Sequence, residues 1–537
     1  MSTKIMSQIR LNWKAGITVG LVSIPLAVSL AVASNASPIL GVITAVWAGL
    51  VASFIGGSHF NIIGPTGALT GLLMVYSNQF GVGCLPMLAI LSGIFIFVAY
   101  FFKLENYLVF IPGCALHGFI LGVSAVIALN QVDAIFNIPN LPSTSNLIRN
   151  AYEIVMHANQ AHLPSVIVFV LFFVGLIVLL YVMPKFPGTI ILAPLGILIG
   201  YVSAHGMVSF DIPTLASKYH DIKATLILLP KFHMQFSYLF PAISIAVISI
   251  LETLISARVA DGLTKTKHNK RREMLGLGFA NIVSGFAGGL PATAALARTS
   301  LNIESGATNR ISATISSITV AVIAIFFLYY FQYIPLAVIA AILVFVAIRM
   351  LEFNHFVHMY RTNKVNFGIS LIVAFLTVYE DAIVGILFGA VAAMLLFMRE
   401  LSKGYHETFA KDKQTAASEG DAWLRKERHT FIYSIKGVFA YINAQSHLAR
   451  IDTISPYYTD VILNLSNLYF VDLDGVDALS TIVHTLRSKG KRVYVTGVSP
   501  VIKHLFTNNK LFKDLTDTHK IHADVNSALE FIAQREE

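Results

Sequence analysis

The sequence predicts a polytopic α-helical membrane protein, two sets of seven apolar segments followed by a C-terminal α/β domain. Three observations predict it. Of 537 residues, 55% are hydrophobic and only 12% charged, with a mean hydropathy of +0.70; soluble domains carry about twice that charge. Apolar stretches near the ~20 residues that a straight spanning helix needs recur from residue 14 to residue 400. A Gly/Pro-interrupted apolar segment occurs twice, at matching places in the two sets.

In order, the segments run over 14–33, 39–55, 65–79, 86–102, 108–129, 165–183 and 189–203, then 240–257, 273–289, 292–303, 311–330, 334–350, 365–380 and 382–400. The third and tenth are short. Lys103, Lys185, the cluster Lys265, Lys267, Lys270, Arg271 and Arg272, then Arg310, Arg361 and Lys364 all follow even-numbered segments. The basic-loop rule therefore places both termini in the cytoplasm. Lys4, Arg10 and Lys14 precede a long first apolar run without a cleavage pattern, which reads as an uncleaved span in a plasma (inner) membrane. The net charge of +9 belongs largely to these loops and does not point to nucleic acid. Cys84 and Cys114 have no metal-type spacing, and a disulfide between them is not expected. Residues 351–363 are amphipathic and fit either a helix along the membrane surface or a solvated loop.

The transmembrane region is read as 1–403, a polar linker as 404–425 and a soluble domain as 426–537. In the last, 431–437, 461–467 and 492–498 are strand-like, and the apolar-periodic stretches 475–488 and 499–506 alternate with them, as in a small α/β domain.

The two interrupted segments carry the functional signal. Gly288 and Gly289 lead into LPATAAL (290–296), and the first half has GPTGAL at 64–69. Pro and small residues ahead of an apolar run suggest a helix that begins there, with unpaired N–H groups at its front. At membrane depth those groups need a partner, and the positive end of the helix dipole favours an anion. A Gly/Pro kink in an ordinary span is the competing reading of one such stretch. The pairing favours the first: Pro65 follows Leu26 by 39 residues, and Pro291 follows Glu252 by the same 39.

SIPLAVSLAVAS (23–34), GGSHFNIIGPTGAL (56–69), ETLISARVADGLTKTKH (252–268) and GGLPATAALARTSLNIESGATNRISA (288–313), with the C-terminal domain, resemble the sulfate permease (SulP) family of anion transporters, whose C-terminal domain is a STAS domain. The resemblance implies a seven-plus-seven inverted repeat, with segments 1–4 and 8–11 as a core domain and the others as a gate domain. It implies a homodimer, an elevator-type movement, and an anion held between the facing fronts of half-helices 3 and 10. Thr66, Gly67 and Ala68 would line it from the first half, and Ala292, Thr293, Ala294 and Ala295 from the second. The chain departs from many members in having Leu26 where they have Gln, and from vertebrate members in having Ala297 before Arg298. It has Glu252 where sodium-dependent bicarbonate members have Asp. Sulfate, bicarbonate and dicarboxylates all remain candidate substrates, and the likeness is to bacterial proton-coupled members.

An acidic residue inside a span marks a functional site by default, and desolvation favours a neutral carboxyl, so Glu252 is the candidate proton carrier. With Ser256 it is also the candidate sodium site by resemblance. Arg298 either attracts the anion or braces segment 10. For the alanines, close helix packing is the rival role. Asp474 stands where soluble STAS relatives have a phosphorylatable Ser; it is read as the cap of the helix that starts there, and no phospho-switch is expected at this loop. No nucleotide-binding loop, metal cluster or enzyme motif is apparent, and no cofactor beyond a coupling proton or sodium is expected. The function read from the sequence is secondary anion transport, with a sensor signalling through its STAS domain to a partner, or an anion channel, as alternatives.

Overall fold

The computed structural model describes the chain except residues 1, 107–111, 139–146, 184–187, 208–210, 220–224, 231–233, 352, 381, 403–404, 411–429, 452–457, 500–502, 504–509 and 537. It divides into two compact units, 1–393 and 394–537.

The first unit is helical, and its long elements follow the fourteen segments: α1 (Ser2–Ala33), α2 (Pro38–Ile55), α3 (Gly67–Phe80), α4 (Leu85–Phe101), α5 (Gly113–Asn130), α6 (Leu163–Val182), α7 (Thr189–Ala204), α8 (Leu239–Thr264), α9 (Lys270–Phe286), α10 (Leu296–Glu304), α11 (Ile311–Phe331), α12 (Leu336–Met350), α13 (Lys364–Tyr379) and α14 (Ala382–Ser402). Among the described residues, nine helices are long and apolar enough to cross a membrane. α10 and α3 are the shortest of these helices: at 1.5 Å per residue α3 spans about 21 Å and α10 about 14 Å, against a hydrocarbon core of about 30 Å. Residues 353–362, left open between helix and loop by the sequence, are helical. Leu147–Met156 forms a further short helix. Its alternation of apolar with polar residues was too brief to stand out from the surrounding loop.

Two packing groups are present. α1, α2, α4, α8, α9 and α11 contact one another closely, while α5 packs on α12 and α13, and α6 on α7 and α12. Small residues set the spacing in both groups: a Cβ at Gly93 of α4 would lie 2.7 Å from the carbonyl oxygen of Gly278 in α9, and one at Gly118 of α5 would lie 2.4 Å from that of Ser370 in α13. Helices whose neighbours are as apolar as lipid gain from such close approach. The first group holds six of the eight helices of the core set that the family resemblance implies, and the second holds five of the six helices of the gate set.

The second unit holds a mixed sheet in the order β3 (Tyr405–Ala410), β4 (Thr430–Phe439), β5 (Asp460–Asn464), β7 (Arg492–Thr496), β8 (Ile521–His522), with β6 (Leu468–Val471) on the far end of β4. β3 runs antiparallel to β4 and the remaining pairs are parallel. Helices α15 (Tyr441–Ile451), α16 (Leu473–Ser488), α17 (Lys510–Asp517) and α18 (Val525–Glu536) complete it. Its core includes Tyr433, Val461, Leu463, Leu479, Ile482 and Val493. The sequence reading took 404–425 as a linker. Residues 405–410 form instead the first strand of this unit, because backbone pairing with β4 satisfies an edge that local polarity does not reveal; the rest of that stretch, and most of 499–506, lie outside the described residues. The cap of α16 is Asp472, whose Oδ1 accepts the Gly475 N–H at 2.7 Å; Asp474, read from sequence as the cap, lies instead in the first turn, because the helix starts two residues earlier than that reading placed it.

Candidate functional site

The two interrupted segments meet. β1 (Ile63–Gly64) and β2 (Thr293–Ala294) form a two-residue antiparallel ladder, Ile63 opposite Ala294 and Gly64 opposite Thr293. α3 leaves one end of this ladder and α10 the other, α3 starting three residues after Gly64 and α10 two residues after Ala294, so both helices begin beside the same crossing. Thr66 precedes α3 and Ala295 precedes α10, and neither caps its helix with a side chain. The first-turn N–H groups, Gly67 to Leu69 and Leu296 to Arg298, have no acceptor within their own helix and carry the positive ends of two dipoles.

The second of these helices begins later than the sequence suggested. Thr293 to Ala295 are extended, and amides of this stretch are taken by protein: Ala292 N–H donates to Asn281 Oδ1 at 2.8 Å, Ala294 N–H to Thr253 Oγ1 at 3.1 Å and Ala295 N–H to the Ile62 carbonyl at 3.1 Å. The open amides of this half therefore start at Leu296, beside the exposed Ala297. Thr293 is fully buried; its hydroxyl donates to the Ser249 carbonyl at 3.0 Å and lies 2.9 Å from Thr253 Oγ1. It ties β2 to α8.

In the first half, Thr66, Gly67 and Ala68 are buried. A Cβ at Gly67 would stand 3.0 Å from Ile127 Cδ1 of α5 and 3.1 Å from Met350 Sδ of α12, so the front of α3 faces the second packing group without a side chain between. Thr66 Oγ1 donates to Glu252 Oε2 at 3.0 Å. Glu252 is partly exposed on α8 and joins the two halves through this bond. Arg298, 3% exposed, donates from Nη2 to the Pro65 carbonyl at 2.6 Å and interacts electrostatically with Glu252. A Cβ at Gly64 would come 3.0 Å from its Nη1, so glycine there makes room for the guanidinium. Ser256, one helical turn from Glu252, turns its hydroxyl to Asn61 Oδ1 (3.1 Å) and Thr299 Oγ1 (3.0 Å).

Sequence reasoning missed the residues that hold the crossing. Asn281 clamps Ala292 by both amide atoms, its Nδ2 donating to the Ala292 carbonyl at 2.9 Å. Thr44 Oγ1 accepts the Leu290 N–H at 2.6 Å, and Ser284 donates to the Leu290 carbonyl at 2.8 Å. The available signal was a buried-type Asn and hydroxyls within apolar helices, which polar satisfaction requires to find partners.

With two dipole ends, one carboxyl, one guanidinium and small side chains, this crossing can receive a small anion and alter its own net charge by one. A sulfate permease family model matches residues 9–373 and a STAS domain model matches 423–528. The chain is 29% identical over 513 residues to the Bacillus subtilis (strain 168) protein named "Putative sulfate transporter YvdB", covering 94% of each. Its fold is similar to that of the murine Slc26a9 anion transporter in the inward-facing state (TM-score 0.82, 16% identity, 97% of this chain and 91% of that one). It is also similar to the transmembrane domain of a cyanobacterium bicarbonate transporter, BicA (TM-score 0.60, 23% identity, 71% of this chain and 97% of that one). Members of this family are membrane transporters and not enzymes. The chain belongs to the sulfate permease family and carries a C-terminal STAS domain.

Proposed function

We propose that this protein is a secondary active transporter that moves a small anion together with a proton, with Glu252 as the proton carrier. The observation that carries this reading is the bond from Thr66 to Glu252, which sets the one acidic side chain of the crossing against the front of α3. When Glu252 is ionised, Arg298 is balanced and an arriving anion meets a like charge. When it is protonated, the crossing gains one positive charge beside two dipole ends. Proton and anion then favour each other's binding, as linkage requires. The names of its relatives put sulfate and bicarbonate first among candidate substrates, with dicarboxylates next.

In this reading Gly67, Ala68, Leu296 and Ala297 offer backbone donors to the anion, and Thr293 and Ala292 to Ala295 hold the crossing in register. The commitment of the Ser256 hydroxyl to Asn61 and Thr299 favours a proton over sodium as the coupling ion. The two packing groups suit an elevator movement of one against the other. The protein works as a homodimer in the plasma membrane, with both termini in the cytoplasm. Uptake of sulfate, bicarbonate and a dicarboxylate into proteoliposomes, under separately imposed pH and sodium gradients, tests the reading. Accumulation driven by an acidic exterior without sodium is expected. Accumulation that follows a sodium gradient and ignores pH would overturn proton coupling, and a current without accumulation would mark a channel.

A further inference from the structure

A connected array of polar side chains runs from Ser256 away from the crossing to Glu273, which the proposed site does not include. Glu273, in the first turn of α9, is 2% exposed. Its Oε2 accepts the N–H groups of Gly57 and Ser58, each at 2.6 Å, and its Oε1 accepts Asn61 Nδ2 at 2.7 Å. Asn61 gives its other amide proton to the Thr253 carbonyl at 3.2 Å. That fixes its Oδ1 toward Ser256 Oγ, 3.1 Å away. The single Ser256 hydroxyl proton is shared between Asn61 Oδ1 and Thr299 Oγ1, the latter 3.0 Å away, and Thr299 Oγ1 also accepts the Ile62 N–H at 3.2 Å. These contacts connect Ile62 through Thr299, Ser256 and Asn61 to Glu273. Asn61, Ser256 and Thr299 are all buried.

Both ends of this chain are built for close approach. Ile62 adjoins β1, and its carbonyl accepts the Ala295 N–H ahead of α10. At the other end a Cβ at Gly57 would fall 2.1 Å from the Asn269 carbonyl oxygen, and one at Gly276 would fall 2.6 Å from Gly56 Cα. The loop after α2 closes on the front of α9 because these positions lack side chains. Three N–H donors meet the two carboxyl oxygens, and among the described residues neither oxygen meets an acceptor for a carboxyl proton. The arrangement suits the carboxylate, which the dipole of α9 also favours.

We propose that Glu273, as a carboxylate, is a positioning residue for anion binding: it ends this chain of contacts and so holds Ile62, and with it the register of β1 on β2 from which both half-helix fronts are presented. The proposal rests on the reading of the crossing as the anion site. In E273Q an amide N–H must face either the Gly57 and Ser58 amides or Asn61 Nδ2.

The test measures hydrogen exchange of residues 56–64 in the full-length protein, and half-saturation for sulfate and for bicarbonate uptake in proteoliposomes. E273Q is expected to speed exchange of the 57–62 amides and to raise half-saturation roughly tenfold, the scale of one lost bond to a charged group, with a smaller change in maximal rate. T299V, which cuts the chain without touching Glu273, should raise half-saturation likewise, and T299S should not; this pair decides the matter if E273Q does not fold. Unchanged exchange and half-saturation in E273Q, or equal effects of T299V and T299S, would overturn the proposal. If the wild type takes up neither anion, the transport reading fails, and exchange in E273Q against the wild type, with T299V against T299S, still decides the role of Glu273.

Discussion

Arg298, in the first turn of α10, donates to the carbonyl oxygen of Pro65 ahead of α3 at 2.6 Å. The side chain that the sequence offered either as an anion attractor or as a brace therefore straps one half-helix front to the other. Its planar fork can reach the carbonyl while keeping charge beside Glu252, which a lysine ammonium does less well. Arg298→Lys should lower stability by about 1.5–3 kcal/mol, the range for a hydrogen bond to a charged group, seen as an earlier thermal unfolding midpoint in detergent. Arg298→Ala should cost more, because it also leaves Glu252 without its counter-charge. Equal midpoints for wild type and Arg298→Lys would show that the strap contributes nothing.

The helices of the first unit were legible because spanning length and apolarity are local properties. What escaped was set by partners distant in sequence. Pro291 and the alanines after it have the composition of a helix front, yet Thr293 and Ala294 are extended, since Gly64 and Ile63 pair with them across more than half the chain's transmembrane region. Ser256 sits at helical spacing from Glu252, but the packing of α8 turns its hydroxyl to Asn61. Glu252 and the small residues of segment 3 could be found because a carboxyl in a span and a repeated Pro-Thr-small pattern are visible without a partner. Asn281, Glu273 and Thr44 could not be ranked without knowing which loop each one meets.

Thr293 illustrates the consequence. Its hydroxyl is spent on Ser249 and Thr253, so its loss should act through the position of β2. Thr293→Val removes two buried hydrogen bonds and should cost on the order of 1–3 kcal/mol of stability, with a weakened anion affinity. Thr293→Ser keeps the hydroxyl and should retain most of both. Ser312→Ala, which removes only a bond to the Asn309 carbonyl in its own turn, should leave affinity unchanged. Normal affinity in Thr293→Val would detach β2 from the site.

In the second unit Asp472 caps α16 through the Gly475 N–H and also accepts the Tyr441 N–H at 3.1 Å. Asp472→Ala should destabilise this unit by about 1–2 kcal/mol. Asp474→Ala, which removes only a charge near the positive end of the helix, should cost about 0.3–1 kcal/mol. Limited proteolysis of the full-length protein, followed at sites after residue 430, would rank the two; a larger effect from Asp474→Ala would reverse the assignment.

The loop joining α8 to α9 offers a clean test of orientation. Lys267 is exposed there, whereas His268 is held by Asp261 through both its backbone N–H (2.8 Å) and its ring (2.7 Å). Cys84 and Cys114 are buried and should give little background. A cysteine in place of Lys267 should react with an impermeant maleimide only after the cells are opened. Labelling of intact cells would place this loop, and the termini with it, outside.

The coupling role of Glu252 is the most direct test of the mechanism. Glu252→Gln presents the neutral side chain at every pH and keeps an oxygen to accept the Thr66 hydroxyl. In the wild type, anion affinity should fall as pH rises, because ionisation of Glu252 places a like charge beside the ligand and cancels Arg298. In Glu252→Gln that dependence should vanish and the affinity should stay near the acidic limit of the wild type. Coupled accumulation must also stop, since no proton can be picked up on one side and released on the other. Exchange of anion for anion needs no such step and should survive. Thr66→Val should have a distinct signature: it keeps the titrating carboxyl, and so keeps accumulation, but loses the bond that sets the carboxyl against the front of α3, and affinity should drop roughly tenfold. Binding isotherms at several pH values, with uphill uptake and counterflow measured on the same vesicles, separate these outcomes. Uphill uptake by Glu252→Gln with an unaltered pH profile would remove Glu252 from the coupling mechanism.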